Sequence, residues 1–204
     1  RDTDRSRGLG DVYKRQDLMG FGRRAIAVNP AEAKAYMIYQ VGALQAFCDS
    51  YGVTLQHMKL HGAFYNTACV TPALADAVLD GLQAVNPNIA AMVLSDSYIA
   101  KEAERRGIPV IQEVFADRGY TDEGTLVPRT EPGAFIKDPQ EALERVLMMV
   151  TEGKVVTNTG NTIDIVADSV CVHGDNPEAI AFTNYIREGL TKAGVTVANF
   201  QNRK

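Results

Sequence analysis

The sequence predicts an α/β domain built on a mainly parallel sheet, and three observations carry that prediction. Helix starts are marked by a capping residue before proline, short apolar runs alternate with the helices, and polar residues gather where those runs end. The chain has 204 residues, 46% hydrophobic and 23% charged, which suffices for one sizeable α/β domain or two small ones. Its formal charge of −4 argues against nucleic acid or an anionic membrane surface as the main partner. No apolar run approaches the roughly 20 residues of a membrane span. Three scattered cysteines (Cys48, Cys69 and Cys171) do not make a disulfide framework, so a reduced, cytoplasmic setting is expected.

Residues 1–16 stand apart. They show no apolar periodicity, hold five basic against three acidic residues, and read as a non-native, adapter-like segment. Residues 17–204 are expected to form a single domain.

From there the elements follow in order. Asn29-Pro30, Thr71-Pro72, Asp138-Pro139 and Asn176-Pro177 each place a capping side chain before a proline at the first helical position, where its missing N–H is not needed. Glu32, Glu141 and Glu178 follow closely and suit the positive helix start. Met37, Val41, Leu44 and Cys48 form one helical stripe, and Leu74, Val78, Leu82 and Val85 a second. Leu143, Val146, Leu147 and Val150 form a third, with Ile186 and Leu190 in the last helix. Gly52, Gly107, Gly153 and Gly194 stand where helices should stop.

Strands are expected at Val53–Leu60, Ile89–Leu94, Pro109–Phe115, Ser169–Val172 and Val195–Phe200. Val155–Thr157 and Thr162–Val166 flank Asn158-Thr-Gly-Asn161 as a local hairpin. Strand–helix alternation makes the sheet a (β/α) barrel or a doubly wound sheet, whose sites are built at the carboxyl ends of the strands.

That is where the polar residues collect. His57, Lys59 and His61 share one face of the first strand, a local violation of the apolar pattern of a buried parallel strand. Glu113 and Asp117 share a face of Val110–Asp117, and Arg118 follows; Cys171, His173 and Asp175 share a face of Ser169–Asp175. Two of the histidines precede glycine, at His61-Gly62 and His173-Gly174. Plainer duties are open to several of them: His57 as a hydrogen-bonded structural residue, Glu113 neutralising Lys59, Asp117 pairing with Arg118, Cys171 in the core. Arg23, Arg24 and Arg129 lie in Gly/Pro-rich loops that suit an anionic substrate or phosphate. His61, Glu113, Asp117 and His173 would be the ligands of a divalent metal, although their spacing follows no zinc pattern.

Six blocks occur in one order: Gly20-Phe-Gly-Arg-Arg24, Gln40-Val-Gly-Ala-Leu-Gln45, Lys59-Leu-His-Gly-Ala-Phe-Tyr-Asn66, Glu113-Val-Phe-Ala-Asp-Arg118, Leu126-Val-Pro-Arg129 and Val172-His-Gly-Asp175. Together they resemble the LamB/YcsF family, which includes the A subunit of bacterial ATP-dependent 5-oxoprolinase. The resemblance runs from about Asp17 to Gly194. It implies a distorted (β/α) barrel of the glycoside hydrolase/deacetylase type. Two departures stand out: Leu60 replaces the proline of the family's K-P-H-G, and the family's opening acidic and histidine-containing blocks are absent. The chain is therefore expected to be a fragment whose barrel, normally about 250 residues, is incomplete.

By the same resemblance, the activity is ATP-driven opening of the lactam of 5-oxo-L-proline to L-glutamate, with B and C subunits as partners. His173 positioned by Asp175 is then the expected base, and His61 the acid or a ligand. Lys59, Arg118 and Arg129 are expected to hold carboxylate or phosphate, and Arg23, Arg24, Tyr65 and Asn66 complete the binding set. A stand-alone metal-dependent amide or N-acetyl hydrolase is the alternative, and a third reading is a scaffold subunit without catalysis of its own.

Overall fold

A computed structural model describes residues 20, 22–173 and 179–199. The chain divides at Ile111/Gln112 into two compact units.

In the first unit the long helix α1 (Pro30–Tyr51) begins on a reciprocal cap. The Glu32 N–H donates to Asn29 Oδ1 at 2.9 Å, and the Asn29 N–H donates to Glu32 Oε2 at 3.0 Å. The helix ends on Gly52 in the left-handed region (φ 64°), as its position predicts. Its buried stripe, with Met37, Val41 and Cys48, packs on α3 (Pro72–Val85). The crossing is close: a Cβ on Gly81 would lie 2.6 Å from that of Met37.

Strand β1 is shorter than expected. Only His57–Lys59 pairs, in parallel with β2 (Ala90–Leu94) and in the register His57↔Ala90, Met58↔Ala91 and Lys59↔Met92. Val53 and Thr54 lie exposed before the pairing begins, so propensity alone does not make them strand. Helix α2 (Gly62–Val70), not among the helices expected from the sequence, buries Phe64, Tyr65, Ala68 and Cys69. Thr71 separates α2 from α3 but makes no side-chain cap. Helix α4 (Tyr98–Arg105) ends before Gly107 (φ 71°), and the Ala91 N–H donates to the Pro109 carbonyl at 2.8 Å.

Strand β3 (Val110–Phe115) carries the chain into the second unit and pairs in parallel with β6 (Ser169–Cys171). Between them lie α5 (Pro139–Leu147), capped by Asp138, and a π-helical turn (Met148–Glu152) closed by Gly153. The expected hairpin is present as β4 (Lys154–Val156) antiparallel to β5 (Thr162–Asp164). Asp122 locks it by accepting from the Thr157 and Thr159 hydroxyls and from the Asn161 amide. Helix α6 (Ala179–Lys192) packs on α5, with Gly189 against Leu143. Residues 195–199 form no strand, contrary to expectation; only Val195 is part-buried, and its N–H turns back to the Leu190 carbonyl. Residues 1–16, Asn176-Pro177 and Phe200 lie outside the described residues.

Parallel pairing in each unit, with helices between strands, bears out the α/β prediction. No single helix among the described residues is long and apolar enough to cross a membrane.

Candidate active site

The register of β3 and β6 builds the centre of the second unit. Phe115 lies opposite Cys171, and the Ala116 N–H continues the ladder to the Cys171 carbonyl at 3.1 Å. Two residues further on, Asp117 and His173 face each other from the carboxyl ends of the two strands. Asp117 Oδ2 lies 2.7 Å from His173 Nδ1. Facing an ionised carboxylate, a neutral imidazole carries its proton on Nδ1 and leaves the Nε2 lone pair open. The Phe115 ring stacks on the imidazole at 6.0 Å and 26°, which fixes the ring plane. Both partners line a cavity of about 850 Å³, with Phe135, Phe182 and Tyr185 as an aromatic wall and Lys137 as a cation. Asp117 Oδ1 is buried without a hydrogen-bond partner among the described residues.

Arg118 does not face a substrate. It is 3% exposed and donates from Nε to the Ala134 carbonyl (2.9 Å) and from Nη2 to the Val127 carbonyl (2.6 Å). Burial, with the nearby Arg129 charge, lowers its pKa from the usual arginine value. The binding role expected of Arg118 is therefore replaced by a structural one: it ties the segment after β3 to residues 127–136. The Ile136 N–H bonds back to the Asp117 carbonyl at 3.0 Å, and Gly119 approaches the Gly133 carbonyl so closely that a Cβ would sit 2.0 Å from it. Arg118 and Arg129 each lie 5.2 Å from the Phe135 ring centroid, so Arg129, exposed, is held beside a cavity-lining residue. Beneath them Tyr120 is fully buried, its hydroxyl accepting the Phe115 N–H at 2.8 Å, and burial pushes its phenol well above the ordinary value.

In the first unit, His61 stands at the N-cap of α2 but makes no side-chain cap. Gly62 (φ 62°) allows a backbone approach that no other residue allows: a Cβ there would lie 2.2 Å from the Gly22 carbonyl oxygen, which accepts the Ala63 N–H at 2.8 Å. The loop of Arg23 and Arg24 is thus fastened to the His61-Gly62 corner, with both arginines exposed. Tyr65, expected as a binding residue, is 4% exposed; it is a core residue whose ring carries Lys59 Nζ at 5.6 Å. Asn66 is exposed on α2, and His57 Nδ1 lies 3.2 Å from Gln56 Oε1.

Asp175 lies outside the described residues. Glu113 is 2% exposed inside β3, upstream of the dyad on the same strand. Among the described residues no group of three or more His, Cys, Asp or Glu side chains is placed to hold a metal ion, and no step is assigned to one. Sequence reading missed Lys137, Phe182 and Tyr185. Lys137 carries a local signal, since it directly precedes the capping Asp138-Pro139 pair and so sits at a loop-to-helix junction.

The chain matches the sequence model of the LamB/YcsF family over residues 10–204. A Fusobacterium nucleatum protein, named as the A subunit of 5-oxoprolinase, is 58% identical over 181 residues, which cover 89% of this chain and 70% of that protein. The Pyrococcus abyssi protein of the same name is 48% identical over 89% of this chain and 71% of its own length. The crystal structure of a lactam utilization protein from Thermus thermophilus superimposes with a TM-score of 0.81 at 41% identity, covering 90% of this chain and 73% of that one.

Proposed function

Because the chain belongs to the LamB/YcsF family, we propose that it does the work of a 5-oxoprolinase A subunit, opening the lactam of 5-oxo-L-proline to L-glutamate. The observation that carries this reading is the Asp117–His173 pair in a cavity at parallel strand ends, in a chain 58% identical to a protein of that name.

The chemistry asks for what the pair offers. An unstrained amide is a poor electrophile, so ATP is the co-substrate we propose, its terminal phosphoryl group activating the carbonyl oxygen. The phosphoryl group passes to that oxygen and ADP leaves; water then attacks the carbonyl carbon, a C–O bond forms, the C–N bond breaks, and a second water releases phosphate from the acyl phosphate that results. His173 Nε2 takes the water proton, and the ring nitrogen leaves with a proton. Asp117 holds the imidazole in the tautomer that leaves Nε2 free, and its charge faces the positive ring as it forms. B and C subunits are the proposed partners, in keeping with the word subunit in the relatives' names. No disulfide joins Cys48, Cys69 and Cys171, in keeping with a cytoplasmic setting.

The test is glutamate release from 5-oxoproline by the chain with its B and C partner proteins, repeated with ATP or either partner left out. Release that needs all of them is expected. No release beside partners that work with another A subunit would overturn the reading.

A further inference from the structure

Resting on the lactam reading of this cavity, we propose that Lys137 is its specificity residue: it selects an anionic lactam by holding the carboxylate that 5-oxoproline carries on the carbon next to the ring nitrogen.

Position comes first. Ile136 is tied to the dyad residue itself, its N–H donating to the Asp117 carbonyl at 3.0 Å, and the neighbouring Phe135 forms an antiparallel bridge with Arg118. Lys137 is thus the next residue along a segment registered to the catalytic strand end, and it lines the same cavity as Asp117 and His173.

Charge comes second. Each other charged group of the lining has at least one partner, although Asp117 Oδ1 has none among the described residues. Asp117 is taken by His173, and Asp138 accepts the Gln140 and Glu141 N–H groups at the start of α5. Lys137 makes no ion pair or hydrogen bond among the described residues. An exposed, unpaired ammonium in a lining it shares with Phe135, Phe182 and Tyr185 suits a ligand with a small apolar body and one negative charge. The lactam ring is such a body, and its carboxylate such a charge. The ammonium sets the end at which the ring is held, and the imidazole then meets the carbonyl end.

The experiment compares 5-oxoproline with 2-pyrrolidone, the same ring without the carboxylate, as substrates of the wild type and Lys137→Ala, each with partners and ATP. The expected result is a KM for 5-oxoproline raised about 10- to 100-fold in the variant, the loss of one charge-assisted hydrogen bond, with kcat within about threefold. The wild-type preference for 5-oxoproline over 2-pyrrolidone should shrink by the same factor, and Lys137→Arg should restore part of it. An unchanged KM and an unchanged preference in Lys137→Ala, or a fall in kcat alone, would overturn the assignment while leaving the lactam reading in place. A wild type that forms no glutamate would remove that reading, and Lys137's role with it.

Discussion

Asp117 and His173 are 56 residues apart in the chain and 2.7 Å apart in space. They meet because each stands two residues beyond the Phe115↔Cys171 register pair of two parallel strands. Parallel pairing in register turns a distant pair into a dyad, and both side chains emerge on the same face because strand side chains alternate.

Asp117→Asn tests the orienting role. The amide keeps the shape but presents a donor or a neutral oxygen where a carboxylate fixed the tautomer. Glutamate turnover should fall about 10²- to 10⁴-fold with little change in KM. Steady-state kinetics on a variant with wild-type circular dichroism decides it; turnover within a few-fold of wild type counts against the dyad.

Arg118 and Arg129 touch the same ring but differ in burial, so conservative changes at the two positions should diverge. Arg118→Lys loses the planar fork that serves the Ala134 and Val127 carbonyls and should cost about 1–3 kcal/mol. Arg129→Lys, on an exposed side chain, should stay within about 0.5 kcal/mol. Urea midpoints of the two variants give the comparison, and equal shifts would show that Arg118 is not the structural tie described above.

Glu102 gives the first unit an acid-sensitive contact. Hydrogen bonds from Arg105 and Arg106 hold its carboxyl down from the ordinary 4.5 to about 2. A depressed carboxylate contributes stability that is fully present above its unfolded value and is lost as pH falls through the folded one. Wild type should therefore exceed Glu102→Gln in stability at pH 6, and the gap should close as pH drops from 4.5 toward 2. Denaturant midpoints at several pH values measure this; a gap independent of pH contradicts it.

Much of this architecture is written locally. Asn29 and Glu32 announce a helix start because a capping box is completed within four residues, and Asn158–Asn161 announces a hairpin for the same reason. The polar strand ends at His61, Asp117 and His173 were legible as departures from an apolar pattern. What depends on distant neighbours was not. Val53 has strand propensity but lies exposed outside the paired His57–Lys59, and the residues after His61 form α2, where Phe64, Tyr65, Ala68 and Cys69 are buried together. Those four have helical spacing, which was the available signal. Tyr65 and Arg118 were expected to bind substrate, and burial separates them from that role; the Arg118 guanidinium serves the Ala134 and Val127 carbonyls. The partner of His173 could not be read from its own strand, since Asp117 reaches it through the register with β3.

The catalytic claim rests on one imidazole nitrogen. Glutamate formation by His173→Ala, at saturating 5-oxoproline and ATP with both partner proteins present, tests it most directly. A fall of at least about 100-fold in turnover, with the fold and partner assembly intact, is the predicted result. Turnover within a few-fold of wild type would contradict it and place the base on another residue.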